Sequence, residues 1–127
     1  MNLVEIILYV KSQSASTTFY SAVLNAAPVL DVPGMTEFML NEHCKLGLMP
    51  NAGIARILGD RLPHPDHGSG IPRCELYLVV DDLERACARA AAAGALLVSP
   101  SEHRDWGDRV AYFADPDGHV LALACKS

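Results

Sequence analysis

Two glutamates sit inside otherwise apolar, strand-like runs: Glu5 in "LVEIILYV" and Glu75 in "CELYLVV". A carboxylate there is costly to bury unless it is paired, protonated or facing a wet cavity. Strand side chains alternate, so Glu5 shares a face with Ile7 and Tyr9, and Glu75 shares one with Tyr77 and Val79. Two roles fit such residues. They could form the polar floor of a cavity for a cationic or hydrogen-bonding ligand, or they could pair with an arginine such as Arg56, Arg73 or Arg109 or point to solvent at a strand end. If both face one cavity, they cannot both ionise cheaply, and one should have a raised pKa unless a cation lies between them.

The other chemistry-bearing residues are less pointed. His64 and His67 in "LPHPDHG" are three apart in a loop, a spacing that suits a solvated loop when no further ligand stands nearby. His43 falls in an expected hairpin turn, His103 before Trp106, and His119 after "DPDG", and none has a recognisable Ser or Cys nucleophile beside it. Trp106 and Tyr112 could stack on a ligand or simply pack at a rim. Cys44, Cys74, Cys87 and Cys125 lack any C-x-x-C spacing, so they read as buried, reduced thiols.

Composition narrows the setting. A chain of 127 residues that is 50% hydrophobic has apolar material for one domain with a real core. The formal charge of −5 and the scattered basic residues argue against a nucleic-acid partner. No apolar run approaches the roughly 20 residues of a spanning helix. "MNLVEIILYVKS" also lacks the basic start and small-residue cleavage site of a secretory signal, so the expectation is a cytoplasmic protein without membrane contact.

The elements that would position these residues occur twice. "LVEIILYV" predicts a strand, and Ser12 or Ser14 can cap a helix over "TTFYSAVLN". After a Pro/Gly loop, "VLDVPGMT", three short strands are expected at "EFMLN", "KLGLMP" and "ARILG", with "EHC" and "NAG" as turns. The second half predicts a strand at "CELYLVV" and a helix over "DDLERACARAAAAG", with Asp81 or Asp82 at its start and Gly94 as its stop. Three strands follow at "ALLVSP", "RVAYFAD" and "HVLALAC", the last two joined by an Asp115-Pro116-Asp117-Gly118 hairpin turn. Module one is therefore placed at about residues 1–58 and module two at about 74–127 of a single domain, 1–127. Between them, residues 59–73 carry three Pro and three Gly, a composition that forms a loop. A β-α-β-β-β unit leaves one sheet face uncovered, so the halves read as partners in one architecture.

The C-terminal pattern WG-x-R-x-x-x-F-x-DPDG-H-x-x-x-L, preceded by "ELYLVVDDLERACARAAAAGA", resembles the vicinal oxygen chelate superfamily. That group includes glyoxalase I, bleomycin- and fosfomycin-resistance proteins, and extradiol dioxygenases. The resemblance extends to "LVEIILYVKSQSASTTFYSAVLN" and so covers nearly the whole chain. It implies an α+β fold of two tandem βαβββ modules whose curved mixed sheets form an open cup, commonly completed by a second chain in a homodimer. Metal-dependent members place four ligands in that cup. Carried onto this chain, those positions fall at Glu5, Gly47, Glu75 and Ala122. Many members have His where Glu5 and Glu75 stand, and Gly47 and Ala122 have no donor atom at all.

A divalent ion in such a site needs about four protein ligands, or three with open positions. Glu5 and Glu75 alone are a two-carboxylate remainder, so no cofactor is expected, although a hard divalent ion held by carboxylates and waters would still fit. The favoured reading is a small-molecule binder of the resistance-protein kind, taking an apolar or aromatic ligand in a dimeric cup. Its expected lining is Glu5, Ile7, Tyr9, Gly47, Met49, Glu75, Tyr77, Trp106, Tyr112 and Ala122. The alternative is a metal-dependent enzyme of the same superfamily, a lactoylglutathione-lyase-like lyase, an isomerase or a dioxygenase, using Glu5 and Glu75. A noncatalytic partner protein that keeps only the fold is the third reading.

Overall fold

The apolar run at the start of the chain forms strand β1, Val4–Val10, and Ser12 then turns the backbone into helix α1, Gln13–Leu24, in a computed structural model that describes residues 1–127. Ser12 is extended, and its hydroxyl accepts from the Ala15 N–H at 3.2 Å, satisfying a donor the helix itself leaves open. Strands β2 (Leu30–Val32), β3 (Met35–Asn41) and β4 (Cys44–Pro50) follow, in a four-stranded sheet of order β1-β4-β3-β2. The β1–β4 pair is parallel and the other two pairs are antiparallel, so the module's first and last strands lie side by side. One face buries Leu8, Val10, Phe38, Leu46 and Leu48, together with Phe19, Tyr20 and Val23 of α1. By alternation, the opposite face carries Glu5, Ile7, Tyr9, Met35, Glu37, Lys45, Gly47 and Met49.

Two expectations in this module are corrected. "VLDVPGMT" is not a plain loop: Val32 pairs with Met35 across Pro33-Gly34, so the segment is the β2–β3 hairpin. Proline presets φ at the first turn position and Gly34 takes φ 97° at the second. Gln13 clamps the hairpin, its amide nitrogen donating to Val32 O at 2.8 Å and its amide oxygen accepting from Gly34 N at 2.9 Å. "ARILG" is not a strand but part of helix α2, Asn51–Leu58, and "NAG" is that helix's first turn rather than a hairpin turn. A short apolar run does not by itself distinguish helix from strand; here Ile54, Ile57 and Leu58 recur at helical spacing, and Gly59 at φ 61° ends the run. The three strands that follow α1 thus lie one element earlier than expected.

Module two repeats the plan with strand β5 (Glu75–Val79), helix α3 (Leu83–Ala92) and strands β6 (Leu96–His103), β7 (Asp108–Ala114) and β8 (Val120–Lys126), in the order β5-β8-β7-β6. Asp82 caps α3 by accepting from Arg85 N at 3.0 Å. Leu83, Ala86 and Ala90 of the helix are buried, as are Leu76, Phe113, Leu121 and Leu123 of the sheet. The Asp115–Gly118 turn forms as its composition implies: Asp115 Oδ1 accepts from Asp117 N at 2.8 Å and from His119 N at 2.9 Å, and Gly118 takes φ 83°.

The chain divides into two compact units at residues 69 and 70. Within residues 59–73, two short 3-10 turns form, Gly59–Arg61 and Pro65–Gly68. All four cysteines are free, but none is the fully buried thiol expected: Cys74 is exposed, and Cys44, Cys87 and Cys125 are half-buried. No helix is long and apolar enough to cross a membrane.

Candidate functional site

In module one the open face is organised around Gly47. Its strand neighbours in register are Ile7 on β1 and Glu37 on β3. A Cβ at position 47 would come within 2.6 Å of Glu5 Oε2 and 3.0 Å of Ile7 Cγ1, so the missing side chain is what makes room for the Glu5 carboxyl. That oxygen is fully buried, and no protein donor reaches it. Glu5 hydrogen-bonds Glu37, whose Oε1 lies 3.2 Å from Lys45 Nζ. Burial first, and then the bond to Glu37, raises the Glu5 pKa; the same bond, followed by Lys45, lowers that of Glu37 despite its own burial. The two carboxyls thus shift in opposite directions, Glu5 holding a proton to higher pH and Glu37 favoured as the anion beside Lys45. Within the module, the partner of Glu5 is a second glutamate. Tyr9 and Met49 pair in register two residues farther along the same face.

In module two the corresponding central position is Ala122, wholly buried, with Tyr77 of β5 and Tyr112 of β7 as its neighbours in register. Val110, Ala122 and Ala124 form a small apolar cluster against which both tyrosines pack. The Tyr77 hydroxyl donates to Asp108 Oδ2 at 2.5 Å and accepts from Trp106 Nε1 at 2.9 Å. Asp108 is only 4% exposed, and Lys126 Nζ approaches its other oxygen to 3.1 Å. The bonds from Tyr77 and then Lys126 hold the Asp108 carboxyl below the usual range. Burial first, and then that carboxylate, pushes the Tyr77 phenol up. Arg104 lies over the Tyr112 ring, 5.2 Å from its centroid, and donates to Ser99 Oγ and Val110 O. Glu75 is exposed at the first position of β5, the alternative of a carboxylate pointing to solvent at a strand end.

The folded modules thus gather Glu5, Ile7 and Gly47 in one place and Tyr77, Trp106, Tyr112 and Ala122 in another. Sequence reasoning missed Glu37, Lys45, Asp108, Lys126 and Arg104. Glu37 lies on the strand face opposite the buried Thr36 and Phe38, and only the pairing register brings it to Gly47. The donors present do not fit a four-ligand metal: Gly47 and Ala122 offer none, and no three His, Cys, Asp or Glu side chains converge in either module. His64 and His67 stand 6.3 Å apart by ring centroid, with His64 Nδ1 accepting from Asp66 N.

The model of the Glyoxalase/Bleomycin resistance protein/Dioxygenase superfamily matches residues 2–123. The chain belongs to that superfamily. An uncharacterized protein of Mycobacterium bovis is 29% identical over 119 residues, spanning 91% of this chain and 78% of that protein. A glyoxalase/bleomycin resistance protein/dioxygenase family enzyme from Burkholderia phytofirmans superposes with a TM-score of 0.85 at 18% identity, with each chain covered in full at 100%. A glyoxalase-related enzyme from Fulvimarina pelagi gives 0.81 at 24% identity, covering 98% of this chain and 87% of that one. Likeness at these identities speaks to the fold.

Proposed function

We propose that this superfamily member binds a small apolar or aromatic molecule against the open faces of its sheets, as a cytoplasmic homodimer and without the four-ligand metal of its metal-dependent relatives. The observation that supports the reading is what surrounds the two donor-less central positions: Ile7 beside Gly47, and Tyr77 and Tyr112 beside Ala122. Apolar and aromatic walls with a few placed polar groups are what a small-molecule site requires. A thermal-shift screen of neutral aromatic compounds, run with and without chelator, tests it. The expected result is stabilisation by a subset of compounds that chelator leaves unchanged; stabilisation that vanishes with chelator, or none at all, defeats it.

The Glu5–Glu37 pair supports a second reading, a lyase, isomerase or dioxygenase in which Glu5 acts on the substrate. Glu5→Gln keeps the shape and the bond to Glu37. Under the enzyme reading it abolishes turnover, whereas under the binding reading it changes affinity alone.

A further inference from the structure

Trp106 exposes 59% of its surface, yet its one polar atom is turned inward onto Tyr77. An exposed tryptophan ordinarily leaves its N–H to water and its ring to the protein. Here the polar edge is tied down, and what faces solvent is the apolar ring. The tie continues inward: Trp106 N–H to Tyr77 oxygen, Tyr77 O–H to Asp108, with Lys126 on the far side of the carboxylate. Burying an ionised aspartate carries a large desolvation cost, and this one's hydrogen bonds end at a surface ring rather than closing inside the core.

The turn that carries Trp106 is fixed as well. Arg104 N donates to Asp108 O at 2.8 Å, Gly107 N to Arg104 O at 3.0 Å, and Ser127 N to Gly107 O at 3.2 Å. Gly107 holds φ 96°, a conformation other residues adopt only under strain.

The chain also sets the electronics of the ring. A phenol that donates a hydrogen bond to a carboxylate becomes a stronger acceptor, and an indole N–H bound to such an oxygen leaves more negative charge on the ring face. That face attracts cations and electron-poor rings.

We propose that Asp108 is a positioning residue for a ligand subsite: through Tyr77 it holds the Trp106 ring open to solvent as a stacking surface for a flat cationic ring. The inference rests on the small-molecule reading above and names the ligand group that site takes.

Titration calorimetry of the full chain with N-methylquinolinium, neutral quinoline and anionic quinaldate tests it. The cation should bind saturably, about tenfold tighter than the neutral ring, and the anion should not bind. Trp106→Leu should abolish the preference. Asp108→Ala should weaken the cation by about tenfold and lower the fluorescence anisotropy of Trp106, the chain's sole tryptophan, while Asp108→Asn, which still offers Tyr77 an acceptor, should restore much of both. Melting temperatures of the variants separate these effects from lost stability. Equal binding of all three probes, an unchanged affinity in Trp106→Leu, or an Asp108→Ala protein altered only in its melting temperature would overturn the proposal. So would a parent protein whose Trp106 emission resists acrylamide, since a second chain would then cover the ring. If neutral apolar compounds stabilise the protein while N-methylquinolinium does not bind, the subsite falls and the small-molecule reading stands; if nothing binds, both fall.

Discussion

Gly47 and Glu5 form one unit of packing, and substitution should reveal it. Gly47→Ala drives a methyl into the Glu5 carboxyl and against Ile7 and Met35, an overpacking expected to cost about 1–3 kcal/mol in denaturant unfolding. Adding Glu5→Ala should recover most of that loss, and a double-mutant cycle showing no coupling would contradict the arrangement. Gly118→Ala meets backbone instead of a side chain: its Cβ would lie 2.8 Å from Gly70 Cα, at φ 83°. With no flexible atom to move, it should cost more than about 2 kcal/mol. Asp108 has a pH signature. Its folded pKa lies below the ordinary value of about 3.9, so its contribution is complete above that pH and is lost as pH falls through it toward the folded value. Asp108→Asn should therefore flatten the acid limb of a stability–pH curve. Glu5 acts with the opposite sign: its raised pKa means stability declines as pH rises above the ordinary glutamate range, and Glu5→Gln removes that decline.

At the scale of elements, the hairpin β2–β3 depends on α1 through Gln13. Gln13→Ala deletes bonds to Val32, Gly34 and the buried Thr36, so amide exchange of residues 30–36 should accelerate while α1 stays protected. Protection unchanged across that hairpin would show that the clamp is dispensable. Long apolar runs with clear stops made β1, β5, β7, β8 and both capped helices legible in the sequence, as did the Asp-Pro-Asp-Gly turn. Strand β2 was not, because three residues beside Pro-Gly carry no periodicity. "ARILG" misled because a five-residue run of apolar and small residues around one arginine suits either structure. The carboxyl pair and the Trp106–Tyr77–Asp108 chain were illegible for a further reason: each joins residues on different strands, and register between strands is written in pairing rather than in local composition.

For the whole molecule, the expectation of a homodimer rests on surfaces a lone chain leaves bare. Edge strand β1 exposes Val4, Ile6, Ile7 and Tyr9, and edge strand β6 exposes Leu96, Leu97 and Val98. Sedimentation at micromolar concentration should show twice the 13.7 kDa chain mass, and a purely monomeric boundary would refute it. The strand orders also dictate a timetable. In each sheet the strand made last, β4 or β8, lies in the interior and joins the strand made first to the rest. During synthesis, module one can knit together once residue 50 has left the ribosome, but in module two strand β5 has no partner until residues 120–126 emerge. Strands β6 and β7 can pair as a hairpin before then, but β5, with Tyr77, must wait unpaired, exposed to whatever chaperone or neighbouring chain reaches it first.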